Sequence, residues 1–397
     1  LNGTKNTTTN SLINTLRKSK ILVVTHFYAT GGQPTDLFEW LQDKAGELVF
    51  IAHPFSYARD TRSWLEHWKA GKLVEKRYYK DWAGHSDLSF WRKDVRLTRE
   101  WVRGFLPPSP KALERGFDLA VAADALNVYT LRSFHHRGIE KLVFYTIDYV
   151  PKRFKNPVLN AVYHWLDAKA VSNVDQTWNL TSRMQKARER RGISQYTQRT
   201  IAGGLFLRGE KPLTKRKLTV AFMGHMREGQ GVEALVEAFP AIRTAVPKAK
   251  LLLLGGGALE EKIRSRVKEL GLIKSVEITG YVKEHKELER RLRECALAVA
   301  PYDGKSNFTF YADPGKPKVY LAAGLPVVIT RIPVIADVIE KHAAGVALNQ
   351  DEDLAPAIIH LLQNPQRLQK MQKNAFALAQ SYDWDVIFPK ALAPLLR

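Results

Sequence analysis

The chain has 397 residues, 45% of them apolar and 25% charged, proportions of a globular protein with room for two or three domain cores rather than of a disordered tail. Its formal net charge of +21 exceeds what solubility requires and points to an anionic partner: nucleic acid, an anionic membrane surface or a phosphate-bearing substrate. A single cysteine, Cys295, excludes an internal disulfide and a cysteine zinc cluster, and no run approaches the roughly 20 apolar residues of a membrane span.

With no signal-like pattern before Ile21, these features predict a cytoplasmic protein, and the polar start Leu1 to Asn10 reads as a flexible end. Ile21 to Thr25 is a short apolar strand. It runs into His26 and the Gly31-Gly32 pair, and then into a helical pattern through Leu37, Trp40 and Leu41. A glycine loop at the carboxyl end of a first parallel strand faces the crevice where α/β sheets bind ligands. Leu48 to Ala52 predicts a second strand and Leu73 to Tyr78 a third. From Tyr57 to Arg103 aromatic and basic residues interleave, a composition shared by core packing, a lipid–water boundary and nucleic-acid channels. No zinc finger or RNP-type signature accompanies it, so an anionic membrane surface and a phosphorylated substrate are favoured over nucleic acid.

Phe117 to Ala122 predicts a strand, Leu126 to Arg137 a helix, and Lys141 to Ile147 a strand that ends at Asp148 before Pro151. An acid at that edge sits at the mouth of a site; its ordinary alternative is an Asx turn capping the bend. The cationic turn Lys152-Arg153 leads into a helix through Val158, Val162 and Trp165, and suits a phosphorylated acceptor as well as solvent. A strand at Gln176 to Asn179 and a basic helix at Thr181 to Arg191 follow, then a linker from Leu207 to Arg216.

Leu218 to Met223 opens a second strand–glycine-loop–helix unit. Its loop is Gly224-His225-Met226-Arg227-Glu228-Gly229-Gln230-Gly231, and its helix runs from Val232 to Thr244. Backbone amides at such a helix start receive a diphosphate. Further strands are predicted at Lys250–Leu254, closing on Gly255 and Gly256; at Val276–Thr279, closing on Gly280-Tyr281-Val282; and at Leu297–Ala300. The turn Asp313-Pro314-Gly315-Lys316-Pro317-Lys318 then starts a short apolar helix that ends at Gly324 before the buried strand Leu325–Ile329. Later elements are expected at Ile332–Glu340, Gly345–Leu348, Pro365–Ser381 and Trp384–Leu396.

The segment from Asp313 through Ala322-Ala323-Gly324-Leu325-Pro326-Val327-Val328 resembles the donor-sugar segment of GT-B glycosyltransferases, family 4 in particular. The resemblance implies an α/β chain of two Rossmann-like domains facing a cleft: an acceptor domain over 1–206, a donor domain over 217–380, and a final helix, 381–397, crossing back to the first. It implies a hexosyltransferase that moves a sugar from a nucleotide donor, a UDP- or GDP-sugar, to an acceptor hydroxyl on a lipid-linked or surface-glycan precursor. Such an enzyme would work peripherally at the inner membrane face, with no tightly bound cofactor and no metal.

By the same resemblance Gly31 and Gly32 face the cleft near the donor phosphates and the acceptor, and His26, Lys152 and Arg153 are the further candidates on the acceptor side. Gly224, Gly255 and Gly256 belong to the donor site, and Tyr281-Val282 contact the base. Asp148 faces the reacting sugar. The family's loop arginine and lysine are replaced by His225 and Gln230, which leaves Arg227 as the substitute cation. Its paired glutamates are replaced by Tyr311 and Val319, with Asp313, Lys316 and Lys318 beside them. Inverting and retaining routes both stay open. A nucleotide-sugar epimerase and a catalytically silent sugar- or membrane-binding relative are the competing readings.

Overall fold

The computed structural model describes residues 3–26, 32–54, 62–79, 90–107, 116–194, 196–207, 213, 216–304 and 307–396. The chain forms two compact units, Leu1–Ala202 with Trp384–Arg397, and Gly203–Asp383.

The first unit is built on an eight-stranded sheet. Its strands are β1 (Lys20–Thr25), β2 (Glu47–Ala52), β3 (Trp64–Lys69), β4 (Lys72–Tyr78), β5 (Phe117–Ala123), β6 (Ile139–Thr146), β7 (Gln176–Asn179) and β8 (Gln198–Thr200), in the order β4-β3-β2-β1-β5-β6-β7-β8. The helices are α1 (Gly3–Leu16), α2 (Gln33–Leu41), α3 (Phe90–Arg103), α4 (Ala125–Leu131), α5 (Pro157–Val171) and α6 (Ser182–Glu189). Strands β2, β1, β5, β6, β7 and β8 pair in parallel in that spatial order, and β1 and β5 read as continuous apolar runs because they are buried on both faces.

Two expectations change here, at the start of the chain and after Leu126, and two gain detail. The start of the chain, expected as a flexible end, forms the helix α1 from Gly3 onward, anchored where Leu12 and Leu16 are buried. The strand at Leu73 is one arm of an antiparallel hairpin with β3, turning at Ala70-Gly71, both at positive φ. Within the basic–aromatic stretch Trp64 and Trp68 contribute to packing: Trp68 meets Phe38 edge-on at 6.2 Å and Trp64 tilts on Phe50 at 6.5 Å. The exposed edge strand β4 carries Lys72, Lys76 and Arg77, charges that discourage further pairing. The helix expected from Leu126 to Arg137 ends at Leu131 and gives way to turns in which His136 takes φ 60°.

The second unit holds a parallel sheet of β9 (Thr219–Met223), β10 (Lys250–Leu254), β11 (Val276–Ile278), β12 (Leu297–Ala300), β13 (Val327–Thr330) and β14 (Gly345–Leu348), ordered β11-β10-β9-β12-β13-β14. Its helices are α7 (Val232–Ala245), α8 (Glu260–Glu269), α9 (His285–Arg293), α10 (Asn307–Tyr311), α11 (Gly315–Ala322), α12 (Ile335–Lys341), α13 (Leu354–Gln363) and α14 (Pro365–Ala379). One core joins Val220 and Leu251 of the sheet to Leu235, Phe239 and Ile358 of the helices. The last helix, α15 (Trp384–Leu392), belongs to the first unit. Its Trp384 and Phe388 stack at 4.2 Å, and Asp385 Oδ1 accepts from Trp40 Nε1 at 2.7 Å.

Candidate functional site

In the first unit four ionisable residues follow the carboxyl ends of neighbouring parallel strands: His53 after β2, His26 after β1, Asp124 after β5, and Asp148 after β6. Parallel strands terminate together at one edge, which is why residues distant in sequence gather there. His26 Nδ1 donates to Asp124 Oδ2 at 2.5 Å, and its Nε2 lies 3.4 Å from Asp94 of α3. Asp94 also stands 3.4 Å from His53 Nδ1, while His53 contacts Ser63 Oγ at 2.9 Å and Thr98 Oγ1 at 2.7 Å. Asp124 caps α4 through Asn127 N at 3.0 Å and accepts from Asn127 Nδ2 at 2.9 Å. It holds φ 69°, uncommon for a residue with a Cβ.

Burial works against charge on His26, but Asp124 and then Asp94 outweigh it and lift the imidazole to about 10. Burial lowers His53 to about 4, with Asp94 opposing that shift. The group is thus an imidazolium held between two carboxylates beside a neutral imidazole. Of these residues sequence reasoning named only His26. Asp124 and His53 each follow an apolar strand just as Asp148 does, and the same rule finds them; Asp94, on α3, carries no such signal.

Asp148 is about two-fifths exposed, and its carboxylate is engaged by Arg153 at 2.6 Å, with Arg153 also donating to the Asp148 carbonyl at 3.0 Å. Burial opposes the guanidinium charge, yet Asp148 holds it above the usual range. Asn160 fixes this turn by accepting from Arg153 N at 2.9 Å and donating to Pro151 O at 3.1 Å. Among the described residues no backbone amide donates to the Asp148 side chain, so the turn is capped by Asn160 and not by an Asx turn at Asp148. Lys152 is exposed beside it. Gly32 is the N-cap of α2, with extended backbone and open space where a Cβ would stand; Gly31 lies outside the described residues.

In the second unit the glycine loop after β9 is shaped by backbone packing. Gly231 has φ 71°, and a Cβ there would overlap the Pro301 carbonyl oxygen. Gly224, at φ 140°, leaves the space that the Lys316 ammonium fills. Lys316 comes from the first turn of α11 and donates to Gln230 Oε1, its ammonium 5.5 Å from the Phe222 ring centroid and 5.7 Å from that of Tyr302. Burial, and secondarily Arg227, lowers it to about 8. A cation therefore stands at Gln230, the loop position where the sequence lacks one. His225 and Arg227 are exposed on the same turn.

The neighbouring pair behaves differently. Lys318 is buried, its ammonium 2.6 Å from Asp313 Oδ2 and 5.1 Å from the Tyr382 ring. Asp313 also accepts from Gly203 N at 2.7 Å. Both charges are spent on each other and on the backbone, which separates them from Lys316 in the same turn. Gly255 N donates to Gly280 O at 3.0 Å, and Met226 N to Gly256 O at 2.9 Å, so the loops after β9, β10 and β11 are tied together. Tyr281 is 76% exposed beside them, with Val282 partly covered. Tyr311 ends α10 and Val319 lies in α11, both half-buried.

Two Rossmann-like units, with the C-terminal helix packed in the first, define the GT-B fold of glycosyltransferases. Sucrose-phosphate synthase from Thermosynechococcus elongatus matches with a TM-score of 0.68 at 17% identity, over 95% of this chain and 98% of that one. Anabaena HepE in complex with UDP and glucose matches at 0.66 and 16%, over 95% and 99%. Residues 217–364 match the family model described as glycosyl transferases group 1. Among curated proteins, alpha-monoglucosyldiacylglycerol synthase of Acholeplasma laidlawii is 23% identical over 194 residues, 49% of this chain and 46% of that protein. Phosphatidyl-myo-inositol mannosyltransferase of Propionibacterium freudenreichii subsp. shermanii is 24% identical over 190 residues, 47% and 43%. The matched stretch spans less than half the length of either relative.

Proposed function

We propose that the protein is a glycosyltransferase of the hexosyl-transferring kind, with a nucleoside-diphosphate sugar as donor and a hydroxyl of a lipid-linked or surface-glycan precursor as acceptor. The observation that carries this reading is Lys316, whose ammonium lies against Gly224 at the start of a glycine loop leading into α7. A desolvated cation beside the start of a helix is arranged for the diphosphate of a donor and for the charge that grows on it as the glycosidic bond breaks. Arg227, exposed on the same turn, adds a second cation with a forked geometry suited to phosphate. The HepE neighbour is described as bound to UDP and glucose, and the two curated relatives are named as a glycolipid synthase and a phosphatidylinositol mannosyltransferase, which supports both the donor and the acceptor class.

In this reading the second unit holds the donor and the first unit presents Asp148 and the His26–Asp124 pair to the acceptor. Asp148 acting as a base behind the sugar gives inversion; Asp148 orienting the sugar gives a front-side, retaining route. The donor needs no tightly bound cofactor or metal, because Lys316, Arg227 and helix amides supply the countercharge. No helix among the described residues is long and apolar enough to cross a membrane, and the proposed encounter with a lipid acceptor is at the membrane surface. Incubation with a panel of labelled UDP- and GDP-sugars and a lipid extract tests the proposal: transfer or slow donor hydrolysis is expected. A new nucleotide sugar would instead identify an epimerase, and no nucleotide binding at all a silent relative.

A further inference from the structure

One helix in a layer of the first unit, α5, turns a row of apolar side chains toward solvent. Helices α3, α4 and α5 cover the same face of the sheet, where Leu97 and Trp101, Val128 and Leu131, and Ala170 and Val171 join one core with Leu22 and Val49; α4 packs against both neighbours. In α5 the polar residues point inward: Asp167 is buried and paired with Arg188 at 2.7 Å, and His164 donates to Pro151 O at 2.7 Å. Before Leu166 its apolar residues point outward, with Val158 68%, Val162 54% and Trp165 55% exposed. Their spacing of four and three places them in one ridge, which Lys169 continues a turn later. A surface helix of a water-facing protein shows the reverse pattern.

On α3, Arg92, Arg96, Arg99 and Arg103 recur at spacings of four, three and four, a single line with one guanidinium per turn, bordering a surface groove. Arg96 donates to Tyr79 Oη at 3.0 Å, and among the described residues no carboxylate pairs with Arg96, Arg99 or Arg103. Like charges stacked at this spacing repel unless an anion lies across them.

We infer that this α3–α5 layer docks on an anionic lipid surface, the α5 ridge entering the headgroup–acyl boundary while the α3 arginines lie on lipid phosphates. The inference rests on the reading that the acceptor is membrane-borne. A polyanionic glycan or nucleic acid would satisfy the arginines but leave the ridge in water, and a second copy of a chain carrying +21 would be repelled. Only a surface both anionic and apolar answers both features.

The test is co-sedimentation of the full chain with vesicles of phosphatidylcholine alone and with 30% phosphatidylglycerol, alongside nucleoside-diphosphate calorimetry and transfer to a short-chain, water-soluble acceptor. Binding is expected to need the anionic lipid and to weaken with salt. Arg96→Gln/Arg103→Gln should lower it about 25-fold, roughly fivefold per cation. Val162→Glu/Trp165→Glu should lower it at least about tenfold at unchanged charge-bearing arginines. Nucleotide binding and transfer to the soluble acceptor should persist in both variants, since all four positions are exposed. Wild-type protein that transfers to the soluble acceptor yet ignores anionic vesicles overturns the docking face and leaves the transferase standing. Vesicle binding indifferent to both pairs, or salt-sensitive binding to RNA without vesicle binding, also overturns it. Vesicle binding lost in both pairs without any nucleotide binding upholds the face and removes the transferase.

Discussion

Replacing Lys316 with Met removes the ammonium at Gln230 while keeping most of the apolar stem that fills the space beside Gly224. A charge-assisted bond to phosphate is worth about 1.5–3 kcal/mol, so nucleoside-diphosphate affinity should fall roughly 10- to 150-fold. Stability should not fall with it. The folded-state value of about 8 lies below the ordinary lysine value, so burial of the ammonium costs stability below pH 8 and that cost fades as pH rises toward 10.5. A bound diphosphate favours the charged form and draws the proton back. Binding at pH 8 should therefore take up about half a proton and at pH 7 only about a tenth, and affinity should drop by up to roughly tenfold per unit above pH 8. Titration calorimetry with UDP and GDP at pH 7, 8 and 9, each in two buffers of different ionisation enthalpy, reads both quantities. An unchanged dissociation constant in Lys316→Met, together with no proton uptake at pH 8, would refute the assignment of Lys316 to the donor phosphates.

Three further outcomes are expected. Asp148→Asn should reduce transfer about 10²–10⁴-fold with donor affinity nearly unchanged, and wild-type turnover in steady-state assays would reduce Asp148 to an anchor for Arg153. Thermal stability should peak near neutrality. The raised His26 stabilises fully below about pH 6.5 and loses that contribution toward pH 10, whereas the lowered His53 penalises the fold as pH falls from 6.5 toward 4; melting curves of His26→Gln should lose the alkaline limb only. Arg188→Met strands the buried Asp167 carboxylate and should cost about 3–5 kcal/mol by calorimetry, with Asp167→Asn added to it recovering part of the loss.

What the chain's local order determined is its alternation of strands, glycine turns and helices. Lys250–Leu254, Leu297–Ala300, Gly345–Leu348 and Gln176–Asn179 were read at the boundaries the structure has, because short apolar or β-branched runs bounded by turn residues carry their own signal. The donor-like segment around Ala322–Val328 was equally local. Of the β3–β4 hairpin the arm at Leu73–Tyr78 was legible; β3 was not, since it is written in Trp, Glu, His and Lys and becomes strand only by pairing with β2. Helix α1 was hidden by its polar composition and exists where Leu12 and Leu16 find a core.

The chemistry depended still more on long-range packing. Lys316 and Lys318 are two residues apart in one basic turn, yet one reaches Gln230, 86 positions away, and the other is neutralised by Asp313, itself tied to Gly203 at a separation of 110. His26 becomes a buried imidazolium only because Asp124, 98 residues on, closes the neighbouring strand. Periodicity and turn chemistry act within a dozen residues and are legible in the chain. The partner and the desolvation that decide what a charge does come from residues the fold alone brings together.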